Sequence, residues 1–163
     1  MKNLSNILAI VTTFILIGCG AGTDTPHTNP APSKSTLRIK VIETTPPPSP
    51  IGGISLKVDY DHSTVRPAGD INENPDSSVA LNGALSGDGT IMSVHNDGDT
   101  LALSIINAKG FDDGEKDITI DFDLLKGVAG DGKYTVLPGS YKAFDLDGDK
   151  IKGTEVALEV TNQ

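Results

Sequence analysis

The chain has no tryptophan, only three tyrosines and four phenylalanines, and a single cysteine in 163 residues. Sugar-binding platforms rely on exposed aromatic rings, so this scarcity weakens carbohydrate recognition as a main activity. One cysteine excludes an internal disulfide, and without a C-x-x-C-H sequence the chain attaches no c-type haem. Neither G-x-S-x-G nor H-E-x-x-H occurs. His27 lies among Pro, Thr and Asn, while His62 ("DYDHS") and His95 ("SVHND") sit singly beside turn-forming residues. The expectation is that the chain is not an enzyme. Basic clusters are also missing: 13 Lys and Arg face 22 Asp and Glu, a net charge of −9. That balance argues against nucleic acid and against electrostatic docking on anionic lipid.

What is present begins at the amino terminus. Lys2 gives a short positive region, Ile7 to Ile17 form an apolar run, and Leu16-Ile17-Gly18-Cys19 reads as a lipobox. The run is shorter than the roughly 20 residues a membrane-spanning helix needs, which fits a signal peptide over 1–18. Cys19 is then the expected lipidation site, with acyl chains holding the chain to a membrane. Gly20 is not the Asp that resembles an inner-membrane retention signal. In a cell with two membranes the expected location is therefore the outer membrane or cell surface. Residues 19–35, rich in Pro, Gly, Ser and Thr, read as the lipidated Cys and a flexible tether. The domain is expected over 36–163.

From Thr36 onward apolar residues recur with period two. Leu37, Ile39 and Val41 form one set, Ile54 to Tyr60 a second, and Leu101, Leu103 and Ile105 a third. Ile118 to Leu124 give the cleanest alternation, and Val156, Leu158 and Val160 close the chain. Shorter candidates lie at Val79–Leu81, Thr90–His95, Tyr134–Leu137 and Tyr141–Phe144. Gly-Gly, Asn-Gly, Asp-Gly and Pro-Gly turns separate them, and no helical stripe appears. One apolar face per strand, with about nine strands, predicts an all-β antiparallel sandwich. Pro46 to Pro48 and Pro50 cannot lie inside a paired strand, so the chain must turn or change sheets there.

The pattern from Ile51 to Asn162 resembles the cohesin domain. "GGISLKVDYDHSTVRPAG" is similar to a cohesin strand that ends in Tyr-Asp. "LALSIINAKGFDDGEKDITIDFDL" resembles the later strand, turn and long alternating strand, and "FDLDGDKIKGTEVALEV" the closing hairpin. The resemblance implies a nine-stranded jelly-roll and a protein partner, dockerin-like or another envelope or extracellular protein, bound on a sheet surface. It identifies no contact residues. Carbohydrate-binding modules share this architecture, so a sugar- or calcium-binding module is the alternative, with Tyr60, Tyr134 and Tyr141 as the aromatics available to it.

The acidic turns carry the calcium alternative. Asp145, Asp147 and Asp149 match positions 1, 3 and 5 of an EF-hand loop, but Lys150 replaces the glycine and Val156 the bidentate glutamate. Strand-like flanks favour a hairpin turn with Asp147-Gly148 at its tip. No cofactor is expected beyond this calcium candidate. A second cluster, Asp112, Asp113, Glu115 and Asp117, reads as a solvated loop. Asp121 and Asp123 project from one face of their strand, with Arg38, Lys40 or Lys57 as expected cross-strand partners.

Overall fold

The computed structural model describes residues 33–47, 49–125 and 134–163. The signal segment, Cys19 and most of the tether lie outside the described residues. Eleven strands form: β1 (Lys34–Glu43), β2 (Gly53–Tyr60), β3 (Val65–Pro67), β4 (Val79–Gly83), β5 (Thr90–Asn96), β6 (Thr100–Asn107), β7 (Lys116–Leu124), β8 (Tyr134–Val136), β9 (Lys142–Phe144), β10 (Lys150–Ile151) and β11 (Thr154–Asn162). Among the described residues the only helical pieces are two single 3-10 turns, and none is long and apolar enough to cross a membrane.

Every pairing is antiparallel, in two sheets. The first has the order β11-β1-β7-β3, with β4 also on β7; the second has the order β10-β9-β2-β6-β5, with β8 also on β2. Strand count exceeds the expected nine because two edge positions are split. β3 and β4 lie end to end along β7, and β8 and β9 end to end along β2. Between β8 and β9 the Ser140 hydroxyl accepts from Lys57 N at 3.1 Å and donates to Leu137 O at 2.7 Å. A side-chain oxygen thus stands in for a backbone carbonyl as the acceptor for Lys57 N between the two strands.

The inward residues meet as one core. Leu37, Ile39, Ile118, Ile120 and Phe122 come from the first sheet, and Ile54, Leu56, Val58, Leu101, Leu103 and Ile105 from the second. Fully burying each such side chain stabilises by about 1.5–3 kcal/mol. Phe122 lies between Tyr60 and Tyr134, its ring centroid 5.4 and 4.7 Å from theirs.

Two boundaries move relative to the sequence expectation. Lys34 and Ser35, grouped with the tether by composition, belong to β1, and Ser35 is fully buried. The acidic hairpin does not lead straight into the last strand. β9 and β10 pair within the second sheet, and the chain then crosses at Lys152-Gly153 to place β11 on β1 in the first. The crossing is tight. Thr44 N and Thr45 N donate to Gly153 O, and a Cβ on Gly153 (φ +81°) would stand 2.0 Å from Thr45 Oγ1. The proline-rich segment behaves as expected, taking the chain from β1 in one sheet to β2 in the other.

Candidate functional site

Two histidines fall among the described residues, and they lie apart. His62 is exposed with Nδ1 3.9 Å from Asp99 Oδ2, and His95 is exposed on β5. Asp145 is occupied by its own turn: Oδ1 accepts from Asp147 N at 3.0 Å and Asp149 N at 2.8 Å, and Oδ2 accepts from Ser49 Oγ at 3.3 Å. Asp147 and Asp149 are exposed, and no three acidic, His or Cys side chains converge as a metal-holding group among the described residues. Asp145, Asp147 and Asp149, the calcium candidates, lie together on one hydrogen-bonded turn, with Gly148 at φ +86°.

Most aromatic rings among the described residues face inward. Tyr60, Phe111, Phe122 and Tyr134 are buried, and Tyr141 and Phe144 are half-buried. Tyr60 is spent internally, its hydroxyl 2.7 Å from Gly98 O and 2.9 Å from Asn96 Oδ1. Burial pushes all three tyrosine phenols up from their ordinary value.

The outer face of the first sheet satisfies most of its own charges. Arg38 pairs with Asp117, which is only 5% exposed, with Nε at 3.1 Å from Oδ2. Lys40 Nζ lies 2.7 Å from Glu159 Oε1, and Arg66 Nε 3.5 Å from Asp123 Oδ2. This corrects the expected pairing of Asp121 and Asp123. Asp121 accepts from Thr36 Oγ1 at 2.7 Å, and Lys57 lies in the other sheet. Nor is the second acidic cluster uniformly solvated: Asp112, Asp113 and Glu115 are exposed, but Asp117 is buried at the start of β7.

The outer face of the second sheet differs. Register places Ile91 (β5) opposite Ile106 (β6), Ile106 opposite Gly53 (β2), Gly53 opposite Phe144 (β9), and Phe144 opposite Lys150 (β10). Ile91 is 63% exposed and Ile106 54%, the two most exposed large apolar side chains among the described residues. Leu146, 49% exposed, packs over Gly52 close by. Ile106, Phe144 and Leu146 line an open groove of about 420 Å³ whose floor includes Gly52 and Gly53. The next row is small and polar: Ser93, Ser104, Ser55, then Lys142. Contiguous exposed apolar side chains rimmed by polar ones mark interaction surfaces.

The sequence carried a signal for this face. Ile106 follows inward Ile105, and Ile91 precedes inward Met92, so each breaks the polar-out half of its alternation. Gly53 is the complementary case, an outward position in a central strand without a side chain.

No family model matches the chain, and no curated protein matches it. Solved structures do. A type II cohesin domain from the cellulosome of Acetivibrio cellulolyticus is 18% identical with a TM-score of 0.53, over 78% of this chain and 86% of that one. The second type II cohesin module of the ScaA scaffoldin from the same organism is 14% identical with a TM-score of 0.52, over 76% and 82%. The type II cohesin dyad of that scaffoldin gives 17% and 0.54, over 78% of this chain and 44% of the dyad. At such identities the likeness is one of fold. Two antiparallel sheets, the strand order and these matches together make the described domain a cohesin-like β-sandwich.

Proposed function

We propose that this chain is an exported lipoprotein, held to a membrane through lipid on Cys19, whose cohesin-like domain binds a protein partner at the cell envelope or surface. The binding face is the outer side of the second sheet, and the partner is dockerin-like or another envelope or extracellular protein. In a cell with two membranes, Gly20 favours the outer one, and the segment from residue 20 up to the start of β1 gives the domain reach.

One observation carries the reading: the in-register row Ile91–Ile106–Gly53–Phe144, exposed at its β5–β6 end and notched at Gly53. Covering Ile91 and Ile106 would contribute roughly 1–2 kcal/mol each, since about half of each is already buried. Such anchors beside a groove are the usual centre of an interface. The first sheet offers no comparable row, because its outer cations are largely paired with its own carboxylates.

Affinity capture from native envelopes tests the face. A defined partner should be recovered by the native chain and lost with Gly53→Gln or Ile106→Ser. Recovery unchanged by both substitutions would rule the face out. The anchor has its own test: fatty-acid labelling should disappear in Cys19→Ser, and persistent labelling would refute lipidation at Cys19.

A further inference from the structure

We propose that this face takes an amphipathic polypeptide segment carrying carboxylates, with its apolar side over β5 and β6 and its acidic side over β9 and β10. The proposal rests on the reading of this face as an interaction surface. Its basis is how charge is laid out across successive rows. The row that begins with Ile91 and Ile106 ends in Lys150. The row of Ser93, Ser104 and Ser55 ends in Lys142. A third row runs from His95 through Ala102 to Lys57. Lys152 follows Ile151, which pairs with Ala143, so it stands at the next register position beside Lys142.

The face therefore grades from apolar and neutral on β5–β6 to lysine-bearing on β9–β10, with Asp145, Asp147 and Asp149 confined to the turn that joins those two strands. Lys57, Lys142, Lys150 and Lys152 have no ion-pair partner among the described residues, whereas Arg38, Lys40 and Arg66 on the other sheet are each paired. (Lys34, at the rim of that sheet, is not.) Like charges at neighbouring register positions repel, and a chain with 22 acidic residues places no carboxylate in these three rows. A partner bringing carboxylates to β9–β10 relieves that repulsion and fixes its own orientation across the strands. Ile91 and Ile106 make a polypeptide the fitting occupant, because a phosphate or sugar backbone would leave both uncovered.

The test is selection of peptides from a random display library on the immobilised chain, with the Gly53→Gln chain as counter-target. Selected peptides should be richer in Asp and Glu than in Lys and Arg and should contain apolar residues. Their affinity should fall at least about tenfold on the triple variant Lys142→Glu, Lys150→Glu, Lys152→Glu, and should weaken as salt is raised. The neutral triple Lys→Gln variant guards against misfolding and should lose part of the affinity. Peptides that need Gly53 open but are neutral or basic, or indifferent to both triples, would overturn the proposal and leave the face intact. If no selected peptide distinguishes native from Gly53→Gln chain, the interaction face itself fails and the proposal with it.

Discussion

The Lys116 ammonium, only 4% exposed, lies 2.9 Å from Glu43 Oε1 where the inner faces of β1 and β7 run out. Both residues keep the inward parity of their strands, Glu43 following Leu37, Ile39 and Val41, and Lys116 preceding Ile118 and Ile120. A charge pair thus closes one end of the aliphatic core. Glu43→Ala should strand the buried ammonium and cost on the order of 2–3 kcal/mol in urea unfolding. Glu43→Leu combined with Lys116→Met should recover most of that loss. A Glu43→Ala chain as stable as the parent would show that water or Gly114 O, 3.3 Å from Nζ, suffices.

The tyrosines set an alkaline limit. Burial raises the Tyr60, Tyr134 and Tyr141 phenols above 10.0, their ordinary value. A raised folded-state value means the unfolded chain loses its protons first, so the tyrosines' contribution to stability is fully present below about pH 10 and is lost as pH rises through their folded-state values. With no tryptophan present, phenolate absorbance reports these three residues alone. It should rise together with loss of structure. Ionisation of all three near pH 10 in the still folded chain would contradict their burial.

The Asp145 turn predicts a difference between two small substitutions. Asp145→Asn keeps an oxygen for the Asp147 and Asp149 amides and should stay within about 0.5 kcal/mol of the parent. Asp145→Ala removes it and should cost about 1–2 kcal/mol. Since the Asp145 oxygens already accept hydrogen bonds, calcium should leave the melting temperature unchanged. A calcium-dependent rise abolished by Asp147→Asn or Asp149→Asn would establish a metal site at this turn.

Adjacent glycines should respond in opposite ways. A Cβ on Gly52 would lie 2.9 Å from Leu146 Cδ2 and 3.0 Å from Asp145 O, so Gly52→Ala must displace backbone and should destabilise by about 1 kcal/mol or more. On Gly53 the nearest atoms, Ile106 Cγ2 at 3.6 Å and Phe144 Cβ at 3.8 Å, are at ordinary contact distance. Gly53→Ala should therefore be neutral or add about 0.4–1 kcal/mol by restricting the unfolded chain. Equal losses at both positions in thermal melts would refute the distinction.

Period-two alternation located β1, β2, β6, β7 and β11 because each buries one face, and shorter runs located β4, β5, β8 and β9. β3 and β10 escaped it: three residues ending in proline and two residues after a turn hold too little pattern to detect. Pairing partners were less legible. Arg38 does stand beside β7, opposite Thr119, but its reach carries it to Asp117 rather than Asp121. Burial of Lys116 and Asp117 was hidden because a "GEKD" run has the composition of a solvated turn, and only the strand start at Lys116 turns Lys116 inward and sets Asp117 against Arg38 on the outer face. The lysines on β9 and β10 looked unremarkable in sequence, since their meaning comes from the rows they terminate.

The two ends of the domain meet at one point. Ser33 N and Lys34 N donate to Gln163 O, Gln163 N donates to Lys34 O, and β1 runs from there between β11 and β7. A domain tugged from residue 33 along that strand would feel force parallel to β1, so the rungs on both sides would be sheared together rather than unzipped in turn. On the proposed anchoring at Cys19 and binding by the second sheet, the domain would carry tension through its first strand while the opposite sheet held the partner. Single-molecule stretching between an amino-terminal handle and one on the outer face of the second sheet should show one abrupt, high-force rupture, and gradual peeling at low force would contradict it.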